Sequence, residues 1–225
     1  MDRTSLRVLA AVAVVVLAGA AGLLGQAQTV AGPPPDTSAI SAAERAAGPR
    51  FASSVAAGDR AWMLASIAAA RPEAQRLVDE IDGLIELRTH AGAPLGVTRS
   101  SIGVDSASFV IDVDVDIASL NGRRAVDRDV TMLHELGHAI DLALVPARTN
   151  DVLEAGIPRG SCPPGSGELI GSCAEPEERF ADTFAKWALR GRVSAVGAGY
   201  GVITPPSLEQ WGAPLVELAG EVARR

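Results

Sequence analysis

From Phe109 to Ile117 (FVIDVDVDI) apolar and acidic residues alternate without a break, Phe109, Ile111, Val113, Val115 and Ile117 on one side and Val110, Asp112, Asp114 and Asp116 on the other. A period of two predicts a strand with one buried face. The charged face suits an edge strand that resists aggregation, and an edge just ahead of a helix can also hold an extended peptide by backbone hydrogen bonds. The aspartates recur every ~6.7 Å, but the Gly and distal Glu that an EF-hand calcium loop requires do not follow.

Elsewhere the period is helical. Ala42 to Ala47 and Asp59 to Ala70 are Ala-rich, and Trp62 and Met63 read as core. Arg71 to Ile85 places Ala74, Leu77, Val78, Ile81 and Leu84 or Ile85 on one stripe, with Pro72 in the first turn. A further helix is predicted to start at Asp127 or Asp129 and to run to about Leu144, ahead of Pro146, and another covers Glu175 to Leu189. At the tail, Ser207 to Gln210 resembles a capping box, and the following helix is interrupted near Gly212 to Pro214, with Trp211 and Leu215 packing it inward. No internal repeat is present. The pattern predicts an α+β domain, mainly helical, with a small sheet whose edge strand lies near the Val130 to Ala143 helix.

The N-terminus changes the picture of where this domain works. Arg3 and Arg7 precede an apolar run from Val8 to Leu24, which matches the charged and apolar regions of a secretory signal. Residues 1–27 are therefore expected to be a signal peptide or a retained signal anchor, residues 28–41, with Pro33 to Pro35, a linker, and residues 42–225 the folded domain. Either reading places the domain outside the cytoplasm, secreted or held at the outer face of the membrane. Contact with a membrane is expected only through that N-terminal segment, if it is not cleaved. A formal net charge of -7, with no Lys/Arg run, speaks against a nucleic-acid partner. The two cysteines, Cys162 and Cys173, lie in one Gly/Pro-rich stretch, and in an exported chain they are expected to close a local disulfide.

The candidate chemistry is concentrated in Val130 to Ala143 (VTMLHELGHAIDLA). His134 and His138, four residues apart on a helix, project from nearly one face and can pinch a single metal ion. Glu135 sits where its carboxylate reaches a water at that metal rather than the metal itself, the arrangement of H-E-x-x-H zinc hydrolases. The chain has three His in all, and these two are flanked by Met132, Leu133, Leu136, Ala139 and Ile140, so a solvated helix face is a poor alternative. His90 falls in a turn-rich stretch, Arg88 to Gly96, and reads as a third ligand or, in preference, a solvent-facing loop residue. Asp141 shares the face of His138, and a role behind the ligands or at the helix end suits it better than ligation. A Gly three residues after the second His and a third His beyond, as metzincins have, are both missing.

A catalytic zinc takes three protein ligands and leaves one position open. The Glu175 to Leu189 helix offers Glu178, with Asp182 four residues on to accept a hydrogen bond from the free nitrogen of a ligating His. Glu177 is the alternative ligand, and all three first-turn glutamates could instead only complement the helix dipole.

The pair of segments HELGHAID and ERFADTFA resembles the gluzincin metallopeptidases, and within them the anthrax lethal-factor type, which pairs an H-E-F-G-H-A-V-D helix with a later E-F-F-A-E-A-F helix. The likeness covers these two helices, about a fifth of the chain. It implies a zincin-like domain with one Zn2+ bound by His134, His138 and Glu178, Glu135 as general base, Asp182 and Asp141 as supporting carboxylates, and a peptide or protein as substrate. That type carries a Tyr shortly before its ligand Glu. Here the region reads Gly171-Ser172-Cys173, and the single Tyr, Tyr200, is either the oxyanion donor or an ordinary loop aromatic. The expected function is a secreted or membrane-tethered zinc-dependent endopeptidase. A non-catalytic zinc-containing envelope module that binds a peptide or protein partner is the alternative.

Overall fold

The computed structural model describes residues 12–18, 48–91, 96–102, 107–114, 128–162, 171–192 and 201–224. In chain order the elements are β1 (Val12–Ala18), β2 (Arg50–Phe51), α1 (Ala57–Ala69), α2 (Pro72–Ile81), β3 (Ile85–His90), β4 (Gly96–Ile102), β5 (Ala107–Asp114), α3 (Arg128–Leu144), α4 (Ala147–Ala155), α5 (Pro176–Ala188), α6 (Leu208–Trp211) and α7 (Ala213–Val222). The strands form one mixed sheet in the order β1-β4-β5-β3-β2, antiparallel from β1 through β5 and parallel from β5 through β2. The class is α+β. No helix among the described residues is long and apolar enough to cross a membrane. The residues expected to start a helix at Ala42 and the strand residues beyond Asp114 lie outside the described residues, as does Tyr200.

The alternation in β5 is realised: Phe109, Ile111 and Val113 are buried, and Asp112 is half-exposed on the opposite face. Its expected place at the edge is not. β5 pairs with β4 on one side and β3 on the other, with Ile111 opposite both Thr98 and Leu87. Alternation reports which face is wet, and a strand with one wet face can still have both hydrogen-bonding edges occupied. The strand nearer the edge is β4, along whose outer side β1 runs antiparallel, Ala18 opposite Gly96.

A second correction concerns Arg71 to Ile85. The helix stops at Ile81, a 3-10 turn takes Asp82–Leu84, and Ile85 opens a strand that ends on His90. Gly83 weakens the helix there, and Ile85 and Leu87 have a better burial site under the helices as alternate residues of a strand. His90 is thus a strand residue and not a loop one. Its Nδ1 lies 2.9 Å from Asp112 Oδ1 on the outer face of the sheet, away from the other two histidines.

The inner face of the sheet is covered by α3, which also packs on α1, α2 and, most extensively, α5. Within α2 the expected stripe of Ala74, Leu77, Val78 and Ile81 is fully buried. Pro72 holds Arg71 extended, ending α1 and starting α2. Met63 is buried and Trp62 partly so. At the C-terminus Ser207 Oγ accepts the backbone N–H of Gln210, the expected cap, and Trp211 and Leu215 are buried.

Candidate metal centre

α3 is buried along almost its whole length, so its polar residues must be satisfied within the protein. His134 and His138 lie one turn apart with their Nε2 atoms 3.1 Å from each other. From α5, Glu178 brings Oε2 to 3.2 Å from His134 Nε2 and Oε1 to 3.7 Å from His138 Nε2. One ligand atom from each of the three falls within 4.8 Å of the others, and all three side chains are buried. They form a group able to hold one metal ion. Glu177, the alternative ligand, is half-buried and outside this group.

Burial determines the charge states. It pushes the His134 ring down to about 3, with Asp182 opposing the shift, and the His138 ring down to about 4, with Glu178 opposing it. Both imidazoles are neutral at pH 7 and present lone pairs, the form that binds metal. Burial raises the Glu178 carboxyl, and His138 pulls it back. Glu178 Oε2 accepts no hydrogen bond among the described residues. A buried carboxylate whose two oxygens each face an imidazole nitrogen is a donor arrangement that a cation completes.

The elements meet this closely because Gly137 faces Ala181: a Cβ on Gly137 would stand 3.1 Å from Ala181 Cα and 3.2 Å from Phe184 Cδ1. At its start α5 is anchored by Arg179, whose Nη2 donates to Ile157 O at 2.9 Å and whose Nη1 lies 3.3 Å from Glu154 Oε2.

Glu135 points to β4. Thr98 Oγ1 lies 2.6 Å from Glu135 Oε2, donating to it, and 3.1 Å from Glu135 O. A Cβ on Gly96 would overlap the Glu135 carboxylate, so only Gly leaves room for it. Neither Thr98 nor Gly96 was marked by sequence pattern, because the strand that carries them has no regular alternation: Gly96, Val97, Thr98 and Ser100 are all buried.

Asp182 is fully buried and pairs with Lys186, Nζ to Oδ2 2.7 Å. Lys186 too was missed, although its place one turn after Asp182 on the ligand-bearing face was a readable signal. Asp141 accepts from Asn150 Nδ2 on α4 and is raised by burial to about 6, a position at the helix end rather than at the imidazoles. Cys162 and Cys173 form the expected disulfide, a bond consistent with an extracytoplasmic location. Three buried acidic side chains, Glu135, Glu178 and Asp182, and two buried cations, Arg179 and Lys186, thus lie on α3 and α5.

No protein-family model, curated protein or solved structure matches this chain.

Proposed function

We propose that the chain is an exported zinc-dependent endopeptidase of the zincin type, with His134, His138 and Glu178 as metal ligands and Glu135 as general base. The observation that carries this reading is the convergence of three buried donor atoms from α3 and α5 within 4.8 Å, with Glu135 next to the first of them in sequence. Two neutral imidazoles and a carboxylate are a donor set suited to zinc. Tetrahedral zinc with nitrogen ligands at about 2.0–2.1 Å would space them about 3.3 Å apart, close to the 3.1 Å between the two Nε2 atoms. A bound cation would also offset the cost of holding the Glu178 carboxylate buried between two neutral imidazoles.

When bound, zinc supplies a Lewis acid that activates water and polarises a carbonyl. The protein's own residues do the rest. Glu135, held by Thr98 on the β4 side, takes the proton of the attacking water and later delivers it to the leaving amine. Export is read from the charged and apolar N-terminal pattern of the sequence, part of which, Val12–Ala18, pairs as β1 in the structure, and it is consistent with the disulfide.

A non-catalytic zinc module that binds a peptide or protein partner is the second reading, favoured by the burial of His134, Glu135, His138 and Glu178, none more than 2% exposed. Metal analysis of the domain, with hydrolysis of an unstructured protein by wild type and by Glu135→Gln, separates the two. The peptidase reading expects zinc in both and cleavage only by wild type. Zinc in both and cleavage by neither leaves the binding module.

A further inference from the structure

We propose that Lys186 is a positioning residue of the metal site, acting through Asp182 and clamping the 201–203 segment beside it; the proposal rests on the zinc reading above. Lys186 is 4% exposed. A buried ammonium carries a desolvation cost of several kcal/mol and is retained only where its N–H groups are met. Its Nζ donates to Asp182 Oδ2 at 2.7 Å and to Val202 O at 2.6 Å, so one side chain joins the ligand-bearing face of α5 to a segment sixteen residues further on.

Both ends of this bracket lead somewhere. On the inner side, Asp182 lies one turn after the ligand Glu178 on the buried face of α5 and directly follows Ala181, which packs against Gly137 between the two imidazoles. An ion-paired Asp182 is fixed in place, and with it the face of α5 that presents Glu178 to α3. On the outer side, Ile203 N–H donates to Ser172 Oγ at 3.1 Å, beside Cys173 of the disulfide, and a Cβ on Gly201 would be 3.7 Å from Gly171 Cα. The 201–203 segment is thus held between the disulfide turn and Lys186, and Val202 itself is buried. Hydrogen bonds run from Ser172 to Ile203 and from Val202 through Lys186 to Asp182. None of these residues is a ligand; together they tie the Glu178-bearing face of α5 to the 201–203 segment and the disulfide turn.

Zn2+ affinity, measured by competition with a chromophoric chelator, tests this in the full domain for wild type, Lys186→Met, Lys186→Arg, Asp182→Asn and the Asp182→Asn/Lys186→Met double variant, with the visible spectrum of the Co2+-loaded protein as a readout of ligand geometry. Lys186→Met is expected to weaken Zn2+ binding roughly 10- to 100-fold, the usual size for a partner of a metal ligand, and to shift the Co2+ bands. Lys186→Arg should restore most of both. On the Asp182→Asn background, Lys186→Met should cost less than about twofold more, because its effect passes through Asp182. Should Lys186→Met not fold, the double variant, which leaves no unpaired buried carboxylate at that position, carries the same comparison against Asp182→Asn. Wild type that binds no Zn2+ overturns the metal reading and this proposal with it. Wild type that binds while Lys186→Met binds equally with an unchanged Co2+ spectrum, or independent losses in the double variant, overturns the role of Lys186 alone.

Discussion

Gly137 of α3 and Ala181 of α5 meet with no space for a side chain between them: a Cβ on Gly137 would be 3.1 Å from Ala181 Cα. This close crossing lets Glu178, less than one turn before Ala181, reach the two imidazoles that bracket Gly137. Gly137→Ala gains about 1 kcal/mol of helix propensity, against about 1 to 3 kcal/mol of overpacking. Overpacking should win, because the neighbouring atoms are backbone and a buried ring. The expected outcome is a stability loss of about 1 kcal/mol with weaker Zn2+ binding, and Gly137→Val should abolish binding. Urea titration and chelator competition read the two effects separately.

Thr98 should matter for turnover and not for metal. A hydrogen bond to a charged group contributes about 1.5 to 3 kcal/mol, and Thr98 Oγ1 makes such a bond to Glu135 Oε2 at 2.6 Å. Thr98→Val is expected to lower kcat by roughly tenfold or more while the zinc content stays at the wild-type level, and Thr98→Ser to retain most of the rate. A fall in zinc content equal to the fall in rate would place Thr98 among the residues that hold the metal.

What the sequence made legible follows from how local each feature is. His134, Glu135 and His138 are set by one helix, and helical spacing alone puts the two imidazoles on one face. Glu178 was legible because α5 has a clear stripe and a proline start. Thr98 and Gly96 were not, since they reach Glu135 from a strand 37 residues away from it with no alternation of its own. The edge position given to Phe109 to Ile117 failed for a related reason: side-chain pattern reports burial of faces, whereas strand order depends on long-range pairing, here with Ile85–His90 and Gly96–Ile102. Reading Ile85 as the end of a helical stripe hid one of those partners.

The Cys162–Cys173 bond closes a loop with a sequence separation of 11, which on the chain-entropy estimate is worth up to about 3 kcal/mol. Reduction, or the Cys162→Ser/Cys173→Ser pair, should lower Tm by roughly 5 to 10 °C for a domain of this size. Because Ser172 holds Ile203, Zn2+ affinity should fall as well. Thermal melts with and without reductant, each repeated with Zn2+, check both; an unchanged affinity would show that the turn is uncoupled from the centre.

Far from the centre, Asp82 gives stability a pH dependence of definite sign. Burial, with the Asp79 charge beside it, pushes its carboxyl up from 3.8 to about 7. Between these values the folded state holds a proton that the unfolded state has released, so this group's contribution is full below pH ~4 and declines as pH rises through about 7. Buried His134 and His138 act in the opposite sense in the metal-free protein: their folded values lie below 6.5, so their contribution is present above that and is lost as pH falls toward about 4 and about 3. Asp82→Asn removes the first dependence and keeps the second. Relative to wild type, the variant should gain stability between pH 5 and 8, by on the order of 1 kcal/mol at pH 8, and gain nothing at pH 4. Urea midpoints across that range measure the difference, and a variant whose advantage is the same at pH 4 and pH 8 would show that Asp82 is ionised in the folded protein throughout.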